Sequence, residues 1–266
     1  MSASSSERAK LIAALGDELH QALIARRAVS PLSGRGHDLT IEDAYHIQER
    51  MLSHRLAAGD RIVGKKVGAT SVAVQQLLNV DQPDFGMLLA SMIYNEGEII
   101  PMDQLIQPKA EGEIAFILKR DLLGPGITIA NVLAATDCVM PCFEIVDSRI
   151  ENWKIKITDT VADNASCGVF ALGGTALDPR KVDLDLCGMV LEKNGDVVAT
   201  GAGAAALGHP ASAVAWLANT LGRLGIPLKA GEVILSGSLA TLVPVVAGDH
   251  LRVSIGGLGE CSVRFA

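Results

Sequence analysis

Between Glu7 and Arg27 the apolar residues Leu11, Ile12, Leu15, Leu19 and Leu23 recur at helical spacing, which predicts an amphipathic helix. The polar and glycine-rich SPLSGRGHD breaks it. Thr40 then precedes Asp43 by three residues, a capping-box pattern that opens a second helix through about Ala58, stopped by Gly59. RIVGKKVGATS reads as a short strand and a glycine turn, with Thr70 and Ser71 capping a further helix through Leu78. The first third of the chain is expected to be helical.

From Glu98 onward the period changes to that of strands. EGEIAFIL, CVMPCFEIVDS, CGMVLEKNGDVVATG, GEVILSG and HLRVSIGGLGECSVRF are apolar runs separated by turn residues. Lys193 to Asp196, KNGD, is a hairpin signal, because Asn-Gly supplies the positive φ of a type I′ turn. Helices interrupt at TIANVLAATD and at HPASAVAWLANTLGRLG, where Pro210 suits the first helical position and Gly225 the C-cap; WKIKITDTV also has a helix-like pattern. The expected class is α+β: a helical N-terminal region over 1–80 packed on a β-rich domain over 81–266, the two forming one continuous unit.

Composition narrows the functions open to such a fold. With 266 residues, 49% of them hydrophobic, the chain can bury a large core unaided. A formal charge of −7 without a Lys/Arg cluster argues against a nucleic-acid surface. No apolar stretch approaches the roughly 20 residues that span a bilayer, and MSASSSER lacks a signal-peptide core, so no membrane partner and a cytoplasmic location are expected. Five cysteines without a CxxC pair read as reduced thiols, with Cys138 and Cys142 as core packing.

The candidate chemistry lies in acids that interrupt apolar strands. Glu111 and Glu113 share one strand face, about 7 Å apart at Cα, and Glu144 sits in a second apolar run. Two readings stand: a half-exposed strand with its acids in solvent, or three carboxylates around a divalent cation, for which oxygen ligands select Mg²⁺ or Mn²⁺ over Zn²⁺. Lys65 and Lys66, in GKKVG, would point to opposite faces if extended; a buried one beside a cation would have a lowered pKa and could move protons, and the alternative is a surface turn. Asp84, in QPDFG, has the context of an ordinary turn. Asn164 and Ser166 could bind a ligand or only satisfy their loop, and Ser238 ends a strand where pockets often form. GAGAAALG lacks the βαβ context of a dinucleotide fingerprint and fits close backbone packing; His209 fits a helix start, and no GxSxG elbow supports a serine nucleophile.

Taken in order, GKKVGATS, QPDFG, LIQPKAEGEIAFIL, CFEIVDSRI, DTVADNASCG, EKNGDVVATGAGAAALGHPASAVAWLAN and LKAGEVILSGSL resemble the 2-oxopent-4-enoate (2-hydroxypenta-2,4-dienoate) hydratases of the fumarylacetoacetate hydrolase superfamily, over nearly the whole chain. The sister 4-oxalocrotonate decarboxylases share many of these segments and are the alternative reading; a non-catalytic partner subunit is a third. The resemblance implies a mixed β-roll, barrel-like core with a helical N-terminal region, and an Mg²⁺ or Mn²⁺ ion on Glu111, Glu113 and Glu144. It also implies Lys66 as pocket lysine, with Lys65 as the alternative, Asp84 as pocket aspartate, and Ser166 and Ser238 as substrate contacts. A homo-oligomer, a small 2-hydroxydienoate substrate and association with the pathway's decarboxylase are its further implications.

Overall fold

The computed structural model describes residues 3–71, 74–76, 80 and 82–266. Helices α1 (Ala3–Ala25) and α2 (Ile41–Ala57) pack through Leu15, Leu19, Ala44, Ile47 and Met51, the apolar stripes that the spacing predicts. The capping box at α2 forms as expected: Thr40 Oγ1 accepts from the Asp43 amide at 3.1 Å, and the Asp43 carboxylate accepts from the Thr40 amide at 2.8 Å. Ser71 Oγ accepts from the Val74 amide at 3.3 Å, and residues 74–76 are helical; the rest of the helix expected through Leu78 lies outside the described residues.

Next come β1 (Ile62–Gly68), β2 (Asp84–Leu89), β3 (Ile93–Asn95), β4 (Ile99–Ile100) and β5 (Lys109–Leu118). GKKVG is therefore strand rather than turn. Gly64 is required there because a Cβ would stand 1.9 Å from the Val233 carbonyl oxygen of a neighbouring strand. Asp84 likewise opens a buried strand instead of sitting in a turn. Helix α3 (Ile129–Ala135) leads into β6 (Thr136–Val146), and α4 (Ile157–Ala162) into β7 (Cys167–Leu172). Only the end of the helix-like WKIKITDTV is α-helix.

Strands β8 (Gly188–Lys193) and β9 (Asp196–Ala202) form the expected hairpin, with Asn194 and Gly195 at φ 56° and 93°. Helix α5 (Pro210–Gly222) starts on His209, whose Nδ1 accepts from the Ala211 amide at 3.0 Å. It ends three residues before the expected Gly225, which instead takes φ 73° in the terminating turn, where the Ile226 amide bonds back to Leu221. Strands β10 (Val233–Leu235), β11 (Val243–Pro244), β12 (His250–Ile255) and β13 (Gly259–Phe265) complete the chain.

Two mixed sheets result. One runs β2-β1-β10-β5-β6-β7-β3 with β11 added to β5; the other runs β4-β13-β12-β8-β9. Among the described residues they do not close into a barrel. The even-numbered residues of β5, Ala110, Ile114, Phe116 and Leu118, join the main core with Val253, Met189 and the buried face of α5. Gly112 lies on that face, where a Cβ would press 2.8 Å from Val253 Cγ2, so it admits side chains of the second sheet. On the odd-numbered face of β5, Ala115 and Ile117 join a second apolar cluster, which leaves Glu111 and Glu113 for other work. No helix among the described residues is long and apolar enough to cross a membrane, and all five cysteines are free.

Candidate active site

Antiparallel register assembles the acids. On β5 and β6, Glu111 pairs with Glu144 and Glu113 with Cys142, so the three glutamates project from one face of adjacent strands. One carboxylate oxygen from each lies within 4.8 Å of the others. Glu113 and Glu144 are only 1% and 0% exposed, which excludes the solvent-strand reading. Gly237, at φ 100°, turns its amide onto Glu113 Oε2 at 2.8 Å. Among the described residues, Glu113 Oε1 and both oxygens of Glu144 accept no hydrogen bond.

Buried carboxylate oxygens without donors are costly unless a cation takes the place of the donors. Three converging carboxylates with free oxygens fit a hard divalent ion such as Mg²⁺ or Mn²⁺, and among the described residues the group of converging ligand atoms consists of these three carboxylates. The protonation pattern is that of a cation-free cage. Burial and the Glu144 charge push Glu111 up to about 7. Burial and both neighbouring glutamates raise Glu113 well above the usual carboxylate range, and burial raises Glu144 against the pull of Lys66.

Strand β1 brings in the cation. Lys66 Nζ donates to the Ala165 carbonyl at 2.9 Å and lies 3.4 Å from Glu144 Oε1. Burial disfavours its charge, yet Glu144, Asp84 and Glu111 outweigh burial and hold the ammonium above the ordinary lysine range. Without a cation between them, the acids rather than burial set the charge of this lysine. Lys65 points to the opposite face, where Glu232 binds its ammonium with both carboxylate oxygens at 2.7 and 2.6 Å. Lys66 is accordingly the lysine of the site.

Asp84 stands opposite Gly68 across β1 and β2. A Cβ on Gly68 would fall 2.2 Å from Asp84 Oδ1 and 3.0 Å from Lys66 Nζ, so that glycine makes room for both charged ends. Burial raises the Asp84 pKa while Lys66 pulls it down, and Oδ1 accepts no hydrogen bond among the described residues. Lys66, Asp84, Glu111, Ser166 and Ser238 all line one cavity of about 620 Å³. Ser166 Oγ is 3.2 Å from Thr160 Oγ1, and Ser238 Oγ donates to the Ala240 carbonyl at 2.7 Å. Asn164 does not serve as a ligand contact: its amide brackets β2 at Met87, accepting from N at 2.8 Å and donating to O at 2.9 Å.

One network escaped the sequence reading. Asn164, Ala165 and Ser166 have φ of 54°, 50° and 53°, three consecutive left-handed residues without a glycine, a strain on the order of 1–3 kcal/mol each. Arg149 holds this turn. Buried to 1% exposure, it pairs through Nε with Asp163 Oδ1, and it donates to the main-chain carbonyls of Asp147, Asp163 and, at 2.9 Å, Cys167. The turn in exchange presents the Ala165 carbonyl to Lys66. An Arg and an Asp fourteen residues apart carry no spacing signal. Gly237 left one faint trace, a glycine following a strand end.

A family model described as fumarylacetoacetate (FAA) hydrolase C-terminal matches residues 57–266. The chain is 66% identical to a 2-hydroxypent-2,4-dienoate hydratase of Pseudomonas putida over 217 residues, 81% of this chain and 98% of that protein. It is 58% identical to a 2-hydroxyhexa-2,4-dienoate hydratase of Comamonas testosteroni, covering 94% and 96% of the two chains. Among solved structures, 4-oxalocrotonate decarboxylase from Pseudomonas putida G7, complexed with magnesium and adipate, superposes with a TM-score of 0.93 at 39% identity, covering 97% of this chain and 98% of that one.

Proposed function

Because the chain belongs to the fumarylacetoacetate hydrolase family, we propose that it is a metal-dependent hydratase converting 2-hydroxypenta-2,4-dienoate and water to 4-hydroxy-2-oxopentanoate in meta-cleavage catabolism of aromatic compounds. The observation that carries this reading is a cavity lined by Lys66, Asp84 and Glu111, with the unsatisfied oxygens of Glu113 and Glu144 gathered at Glu111, in a chain 66% identical to a hydratase of that dienoate.

Glu111, Glu113 and Glu144 would hold the divalent ion, which when bound supplies positive charge against the negative charge that grows on the substrate's 2-oxygen. The residues of the chain then divide the remaining tasks. Asp84, its pKa raised by burial, is placed to act as the base: it takes the proton of the 2-hydroxyl as C5 gains one, giving the conjugated 2-oxo-3-enoate. Water adds at C4 of that enone while C3 is protonated, so the sum is substrate plus one water. Lys66, 3.4 Å from Glu144 Oε1, serves as charge partner or proton donor beside the cage. Ser166 and Ser238 offer hydroxyls to the substrate at the cavity wall.

Loss of the dienoate chromophore on addition of Mg²⁺ or Mn²⁺, abolished by chelator and without CO₂ release from 4-oxalocrotonate, is the expected result. CO₂ release in its place would make the chain a decarboxylase. The family resemblance further supports a cytoplasmic homo-oligomer that associates with the decarboxylase; light scattering of each protein alone and mixed tests both associations.

A further inference from the structure

Strand β2, which opens on Asp84, is the outer strand of its sheet, and among the described residues it pairs with β1 alone. The far edge of such a strand carries main-chain groups that must find other partners. Here two side-chain amides stand in for a neighbouring strand. Asn164 brackets Met87, and Gln48 of α2 donates through Nε2 to the Phe85 carbonyl at 3.1 Å. The same nitrogen donates to the Val161 carbonyl of α4 at 3.2 Å. Gln48 is 2% exposed, and among the described residues it is the one buried polar side chain that α1 and α2 contribute. Three residues earlier, Tyr45 shares that face of α2 and stacks on Phe85, with ring centroids 4.3 Å apart and planes at 16°.

Packing alone would be met by an apolar side chain, without the cost of burying an amide. What the amide adds is a link between two walls of the cavity. Phe85 follows Asp84 directly, and Val161 follows Thr160, whose Oγ1 lies 3.2 Å from Ser166 Oγ. Asp84, Thr160 and Ser166 line the cavity, whereas Gln48 and Tyr45 stand behind it. Resting on the hydratase reading above, we propose that Gln48, supported by the Tyr45 ring, is a positioning residue for Asp84. It fixes the start of β2 against α4, and so sets where the Asp84 carboxylate stands relative to the Ser166 wall. The helical N-terminal region thereby acts on the reaction through the base, without touching the substrate.

The test uses the full chain with Mg²⁺ and the five-carbon dienoate. Gln48→Met fills the same space without a donor and is expected to lower kcat about 10- to 100-fold, the cost of a displaced base. KM and Mg²⁺ affinity should hold, because the carboxylate cage stands on β5 and β6. In an Asp84→Asn background the same change should cost nothing further. Tyr45→Leu, a milder change at a half-buried ring, should show the same pattern in smaller measure, and Tyr45→Phe should keep wild-type turnover. This second pair carries the test should Gln48→Met fail to fold. Amide hydrogen exchange of the cation-free protein needs no turnover: either lowering variant should speed exchange over residues 84–89 and leave 109–118 unchanged. The inference is overturned by an unchanged kcat, by a full additional loss in Asp84→Asn, by Mg²⁺ affinity falling in step with kcat, or by a Tyr45→Phe as slow as Tyr45→Leu. A wild type that does not hydrate the dienoate, with the localised exchange intact in the variants, refutes only the proposed reaction; hydration with β2 exchange unaltered refutes this inference alone.

Discussion

Two clusters of buried charge sit about one strand apart, and their satisfaction differs. Around Arg149, the guanidinium is met by the Asp163 carboxylate and by three main-chain carbonyls, and Asp163 also accepts from the Arg149 amide and Ser148 Oγ. Around Glu144, one ammonium faces three acids, and among the described residues three glutamate oxygens accept no hydrogen bond. Burying charge is tolerable in the first because every donor finds an acceptor. In the second the deficit is retained. A complete network marks a part that holds shape; an incomplete one marks a part that binds something absent from the chain itself.

The comparison predicts opposite responses to neutralisation. Glu113→Gln should lower metal-dependent turnover by about a thousandfold or more, on the order of 4 kcal/mol in the barrier. Without a cation Glu113 already holds a proton near neutrality, so the neutral amide should leave the cation-free thermal midpoint about unchanged; a fall of many degrees would place Glu113 with the structural cluster. Arg149→Met strands the Asp163 carboxylate and should cost about 3–5 kcal/mol of stability, read by urea denaturation. Little change in the urea midpoint would break the distinction.

Acidity gives a third test. Glu111, raised to about 7, and Glu113, raised well above the usual carboxylate range, hold protons near neutrality when no cation is present. Protons and cation compete, so Mg²⁺ affinity should weaken as pH falls through 7, about tenfold per unit for each proton displaced. Calorimetry in buffers of differing ionisation enthalpy counts those protons, and a flat profile from pH 6 to 8 would contradict the raised values. The smallest effect is expected at Ala165→Gly. Relief of a left-handed alanine should add about 0.4–1 kcal/mol of stability, while the loosened carbonyl beneath Lys66 should reduce turnover. Unchanged turnover would free the turn from any part in the site.

Much of this was legible in the residues. Period-two placement put Glu111 and Glu113 on one face, and Thr40, Pro210 and the Asn194-Gly195 pair fixed helix starts and the hairpin. Alternation said that Lys65 and Lys66 would diverge, but not which would meet the acids, because that depends on β1 lying beside β10 rather than on any local pattern. The same holds for Glu144, whose partner across the sheet is set by register. Asp84 looked like turn chemistry because a proline precedes it; tertiary pairing with Gly68 made it a buried strand residue. Arg149 gave no signal, since its meaning lies in carbonyls that only the folded chain brings near.

The pairing of Glu111 with Glu144 has a consequence for how the chain reaches its native form. Side chains alternate along a strand, so a one-residue slip of β6 against β5 would turn Glu144 away from its partners and bring Phe143 or Ile145 in its place. Only the correct alignment gathers three carboxylates. An ion with affinity for all three therefore acts as a proofreader of strand alignment: at a hundred times its dissociation constant it favours the correctly paired chain by about 2.7 kcal/mol over any slipped one.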